Sequence, residues 1–208
     1  MDPQIPLRFL GFDSLMYLLS AFVGFLISYY AFKLYKVTKK RSHFTLHLSF
    51  TILSIGLLVL VLTTAYFYMN YYFYKEFTAF DPISYVDDFG YWIYYLSSLL
   101  ANSLLAFTYF SEDWKLPILL PVWATGFPYF HITSFLILSY VVFKNAINYW
   151  MRRNKNAFLV TLGFILIACY HFLMFFSFFH RFIYALADLS LLLGFMSLLL
   201  MLSRVCRK

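Results

Sequence analysis

Residues 116–153 read LPILLPVWATGFPYFHITSFLILSYVVFKNAINYWMRR, and the number of times this stretch crosses a lipid bilayer decides the topology of the chain. It is apolar almost throughout, yet Pro117, Pro121, Gly126 and Pro128 interrupt it, and Arg152 and Arg153 close it. One crossing takes about 20 residues at ~1.5 Å each. The 35 residues of 116–150 are long for one crossing and tight for two. Gly126-Phe127-Pro128 is the turn signal near the middle. It divides the stretch into a short segment, about 114–125, and a full span, about 128–150.

The rest of the chain has the same apolar character. It is 63% hydrophobic and 12% charged, against about 25% charged in a soluble domain. Its apolar residues fall in runs long enough for bilayer spans, and the short alternating segments of a transmembrane barrel are absent. The fold class is therefore all-α: a polytopic membrane helix bundle forming one transmembrane domain over residues 1–208. The spans are expected near 10–35, 44–69, 91–110, 114–125, 128–150, 157–179 and 182–203. Residues 70–90, dense in tyrosine and acids, are expected to lie partly on the membrane surface and to turn at Asp81-Pro82. Met1 to Arg8 has neither a basic n-region nor a cleavage site, so the first apolar run is expected to remain as a span.

Charge placement chooses between six and seven crossings. With seven and the N-terminus outside, the inner side receives Lys33, Lys36, Lys39, Lys40, Arg41, Lys115, Lys144, Arg152, Arg153, Lys155, Arg204, Arg207 and Lys208. That is 13 of the 16 basic residues, and only Arg8, Lys75 and Arg181 are left outside. With six crossings the count falls to seven inside and nine outside. Basic residues favour the cytoplasmic side, so the sequence predicts seven crossings, an outside N-terminus and a cytoplasmic C-terminus in the cell membrane. Because the net charge of +7 is clustered beside apolar spans, nucleic acid is not an expected partner. Cys169 and Cys206 have neither the pairing nor the spacing of a disulfide or metal site.

Four ionisable residues fall in the outer half of the predicted bundle: Asp13, His131, His171 and Asp188. Charged groups at that depth are costly unless paired, which makes them candidates for a polar pocket. Such a pocket suits proton relay, a quinone headgroup or a haem b held between His131 and His171. The structural alternative is a His171–Asp188 hydrogen bond locking the last hairpin, with Asp13 and His131 reaching the interface. No metal-ligand spacing and no catalytic motif appear, and the seventh predicted span has no lysine for a retinal Schiff base. Small residues at four-residue spacing, Ser20, Gly24 and Ser28 in the first span and Ser190 and Gly194 in the last, are expected to pack helices closely. Asn102 is expected to act as interhelical glue. No internal repeat is legible.

The first expectation for function is a non-catalytic subunit packed into a larger membrane complex of respiratory or translocation type. It would meet lipid and other membrane subunits through its aromatic faces. A redox or proton-handling protein using the outer His/Asp group is one alternative, and a small-solute or ion transporter is another.

Overall fold

Apolar runs in lipid must satisfy their backbone groups internally, and here they do so as helices. In the computed structural model of this chain the described residues are 10–74, 82–109, 129–177 and 181–207. They form α1 (Leu10–Thr38), α2 (Arg41–Tyr74), α3 (Pro82–Phe107), α4 (Tyr129–Arg152), α5 (Lys155–Phe176) and α6 (Arg181–Cys206), with no strand among them. Five of the six are long and apolar enough to cross a membrane. The exception, α3, has 26 residues, but its tyrosines, serines and acids dilute its apolar character. The protein is a multi-pass helical membrane protein.

Six predicted spans coincide with α1 to α6, each differing somewhat at its ends, whereas the predicted segment 114–125 lies outside the described residues. Within the interval 70–90, α2 runs on to Tyr74 and α3 begins at Pro82, while the residues between them, with the expected turn at Asp81, lie outside the described residues. Proline suits a first helical turn, where its missing N–H would have had no partner anyway.

The helices pair in chain order, and α6 closes back onto α1, so the bundle is a ring. No other pair among the described residues brings its backbones together. Four seams are antiparallel, as hairpins require. Two are parallel. Along α3 and α4, Tyr95 stacks on Phe130 at 4.4 Å between centroids, and farther down the Tyr109 hydroxyl donates to Asn145 Oδ1 at 3.0 Å. Along α1 and α6, Tyr17 meets Tyr184 near one end, and Cys206 Sγ approaches the Tyr30 carbonyl at 3.9 Å near the other. The ring therefore consists of two three-helix halves, α1–α3 and α4–α6, running the same way and joined along two parallel seams. It follows that α3 ends well down the length of α4, beside Tyr140 and Asn145, and not beside Tyr129 where α4 begins.

Side chains fill the ring, and the large ones are aromatic: Phe50, Tyr94, Phe130, Tyr170 and Phe195 are all buried. Phe50 and Phe195 meet edge-on across the interior at 5.3 Å. Much of the aromatic content expected on outer faces is thus core, although Phe22, Phe143, Trp150 and Phe182 do face outward. Every Lys and Arg side chain described lies toward one end, at the α1–α2 turn, the α4–α5 turn or the C-terminal end of α6.

Candidate functional site

The end of the ring opposite the basic turns collects the titratable side chains. Asp13 lies in the first turn of α1 and Asp188 two turns into α6. His131 is in the first turn of α4, and His171 is near the end of α5, which runs the opposite way. Helix direction thus brings all four toward the same end of the bundle. Asp13, His131 and His171 are 2% exposed and Asp188 is fully buried, so none of them reaches the interface.

They form two pairs. His131 Nδ1 lies 3.2 Å from His171 Nδ1. A hydrogen bond between two such nitrogens needs one ring protonated at Nδ1 and the other bare. The contact therefore holds one proton, and a second would set two N–H groups against each other. The expected His171–Asp188 hydrogen bond is not the one that forms: His171 turns to α4, and Asp188 faces α1. There the carboxyls of Asp13 and Asp188 face each other, with Tyr17 beside Asp188. No N–H meets the four carboxyl oxygens among the described residues; each carboxyl has only the other beside it, and Asp188 has the Tyr17 hydroxyl. Two bare carboxylates this close would repel strongly in an apolar interior. The arrangement is favourable only with a proton or a cation between them.

Tyrosines connect the pairs. The Tyr17 and Tyr184 hydroxyls are 3.1 Å apart, and those of Tyr94 and Tyr170 are 3.0 Å apart. The Tyr17 and Tyr94 rings lie 6.4 Å apart across the ring, and Tyr170 precedes His171. The resulting band runs from α6 and α1 through α3 to α5 and α4. Sequence reasoning missed these four tyrosines because it assigned tyrosine to the membrane surface. Tyr17 and Tyr184 could have been found from their spacing, one helical turn from Asp13 and Asp188.

The remaining predicted positions serve packing. Ser20, Gly24 and Ser28 all point into the bundle, with Gly24 against Ser54 and Phe195. Ser28 Oγ meets His47 Nδ1 at 2.7 Å and Thr51 Oγ1 at 2.6 Å, which accounts for His47. Ser190 Oγ donates to the Leu166 carbonyl at 2.8 Å, and Gly194 lies against Gly163. Asn102 is buried, but its Nδ2 has no partner among the described residues. Phe50 and Phe195, about two turns below Asp188, separate the band from the basic end.

The His pair does not bracket an iron as it stands. Two metal–nitrogen bonds of about 2 Å on opposite sides of an ion need ~4 Å between nitrogens, and these nitrogens touch. Among the described residues no group of three or more His, Cys, Asp or Glu could hold a metal. Fold and site together define a multi-pass helical membrane protein with a buried band of titratable groups at one end. No family model, curated protein or solved structure matches the chain.

Proposed function

We propose that this chain is a seven-crossing protein of the cell membrane that binds and passes protons through its interior band, alone or coupled to a small solute. The observation that carries the reading is the Asp13–Asp188 pair, two buried carboxyls that face each other with no N–H to neutralise either. A subunit that only packs gains nothing from two such carboxyls, which cost several kcal/mol in a membrane interior. A proton-handling protein needs a group whose proton is held by the interior and not fixed by a permanent partner.

Two further features support it. Asp13–Asp188 and Tyr17–Tyr184 straddle the parallel α1–α6 seam, and His131 sits beside Tyr95 on the parallel α3–α4 seam. Relative motion of the two halves would therefore re-form the band, as in transporters built from parallel repeats. The parallel α3–α4 pairing also requires residues 110–128 to return toward the start of α4. Reading that return as the remaining crossing agrees with the apolar character of 114–125. The N-terminus then lies outside, and the C-terminus lies with the basic turns in the cytoplasm.

The test is proton flux in liposomes carrying an internal pH dye. The wild-type chain is expected to equilibrate an imposed pH step faster than empty liposomes, and Asp188→Asn to return the rate to theirs. A wild-type rate equal to that of empty liposomes, or an unchanged rate in Asp188→Asn, overturns the reading. The packing-subunit reading stands second, favoured by large apolar side chains exposed on several helices, among them Phe22, Leu62, Phe143 and Phe182. It predicts no flux and a larger complex in mild detergent.

A further inference from the structure

The basic end carries a feature the interior band does not use. Lys39 and Arg153 have φ of 55° and 47°, and among the described residues they are the only non-glycine residues with positive φ. A helix usually places glycine at such a position, since a side chain there costs about 1–2 kcal/mol. The two halves build their turns alike. Lys39 N–H donates to the Tyr35 carbonyl at 2.8 Å, and Arg153 N–H to the Tyr149 carbonyl at 2.7 Å. Tyr35 packs against Phe44 at 5.2 Å, and Tyr149 against Phe158 at 5.7 Å. Two basic residues held alike in left-handed backbone, each beside an aromatic pair, point to a constructed feature.

At the α4–α5 turn this construction borders an open surface pocket of about 310 Å³ lined by Tyr149, Arg153, Asn154, Lys155 and Phe158. The aromatic pair forms its wall. Arg153 lies 5.5 Å from the Trp150 ring, and Arg153 and Lys155 bring two positive charges. The carboxylates whose side chains are described, Asp13, Asp88 and Asp188, lie toward the opposite end of the bundle, so none of them neutralises those charges. Trp150 and Met151, next to the pocket, are 74% and 72% exposed in an apolar helix end, which places the pocket mouth against lipid.

We propose that this pocket holds the phosphate headgroup of an anionic phospholipid. Arg153 and Lys155 take the phosphate, and Tyr149 and Phe158 border the glycerol and first methylenes. Bidentate guanidinium suits a phosphodiester, and basic pockets at the cytoplasmic end of membrane helices attract anionic lipid. An aqueous phosphate would match the charges but would leave the aromatic wall facing lipid unused.

The experiment is native mass spectrometry of the purified chain in neutral detergent, titrated with phosphatidylglycerol or phosphatidylcholine. The wild type is expected to retain phosphatidylglycerol and not phosphatidylcholine. Arg153→Gln with Lys155→Gln is expected to weaken retention roughly tenfold or more, at about 1 kcal/mol per basic residue. Arg204→Gln with Arg207→Gln removes equal charge from the same end and is expected to leave retention unchanged; thermal melting confirms that both variants are folded. Equal retention in the Arg153/Lys155 variant, equal loss in both variants, or equal binding of phosphatidylcholine overturns the proposal. Displacement of phosphatidylglycerol by millimolar inorganic phosphate would assign the pocket to free phosphate instead and overturn it as well.

Discussion

Asp188 is the residue on which stability and function are expected to diverge. A buried polar group that contributes to stability normally has a partner, and removing it costs about 1–3 kcal/mol. The carboxyl of Asp188 is fully buried, with no N–H against it, and faces a second carboxyl. Asp188→Asn removes a potential charge and gives Asp13 an N–H to accept, so its melting temperature in detergent is expected to equal or exceed that of the wild type. A loss above about 2 kcal/mol would show instead that the carboxyl holds the fold. Tyr170→Phe is the opposite case. It deletes the 3.0 Å bond to Tyr94 in a packed core and is expected to cost about 0.5–1.5 kcal/mol. A melt indistinguishable from wild type would remove the Tyr94–Tyr170 link from the band. The sequence revealed Asp13, His131, His171 and Asp188 because charge stands out in an apolar run. It did not reveal their pairing. Position along a span fixes depth, but the direction a side chain faces depends on how each helix turns about its axis, and that is set by packing.

At the scale of the element, the α5–α6 hairpin depends on close backbone approach. A methyl group at Gly194 would sit 2.9 Å from the Gly163 carbonyl oxygen and 3.2 Å from the Ile167 nitrogen, both backbone atoms that cannot swing away. Ser190 and Ser197 flank it and donate to the Leu166 and Leu159 carbonyls, each at 2.8 Å, which fixes the register. Gly194→Ala is expected to lower stability by about 1–3 kcal/mol, as overpacking does. Gly11→Ala, where a methyl would meet nothing within 4 Å, is the control expected to be neutral or stabilising. Equal melts for the two variants would remove the close approach as a determinant of the hairpin. The small-residue spacing of Ser190 and Gly194 was legible, since close packing in lipid relies on such residues. Their partner was not, because Gly163 stands alone in α5 without a second small residue four positions away. Likewise Ser20, Gly24 and Ser28 announced a packing face without saying that this same chain would cover it.

At the scale of the whole molecule, the parallel seams are the feature that a linear reading hides. Consecutive helices joined by short turns alternate in direction, and five alternations would leave α1 and α6 antiparallel. They are parallel, with Tyr17 beside Tyr184 and Tyr30 beside Cys206, as the proposed seven crossings would require. The α3–α4 seam is parallel too, so the proposed extra crossing would belong to the stretch with the prolines, which lies outside the described residues. Charge counting and helix direction are independent physical arguments, one about the membrane and one about packing, and each supports the proposed seven crossings. The two halves share a direction without sharing a visible sequence pattern. Cysteine labelling tests the consequence in a background lacking Cys169 and Cys206. Single cysteines at Lys39, Arg153 and Arg207 are expected to react with an impermeant maleimide from one side of sealed vesicles, and a cysteine at Tyr129 from the other. Under six crossings Arg153 and Arg207 would react on the side opposite Lys39. That outcome would place the Asp13–Asp188 pair and the basic turns in a topology where the two halves no longer run the same way, contradicting both parallel seams.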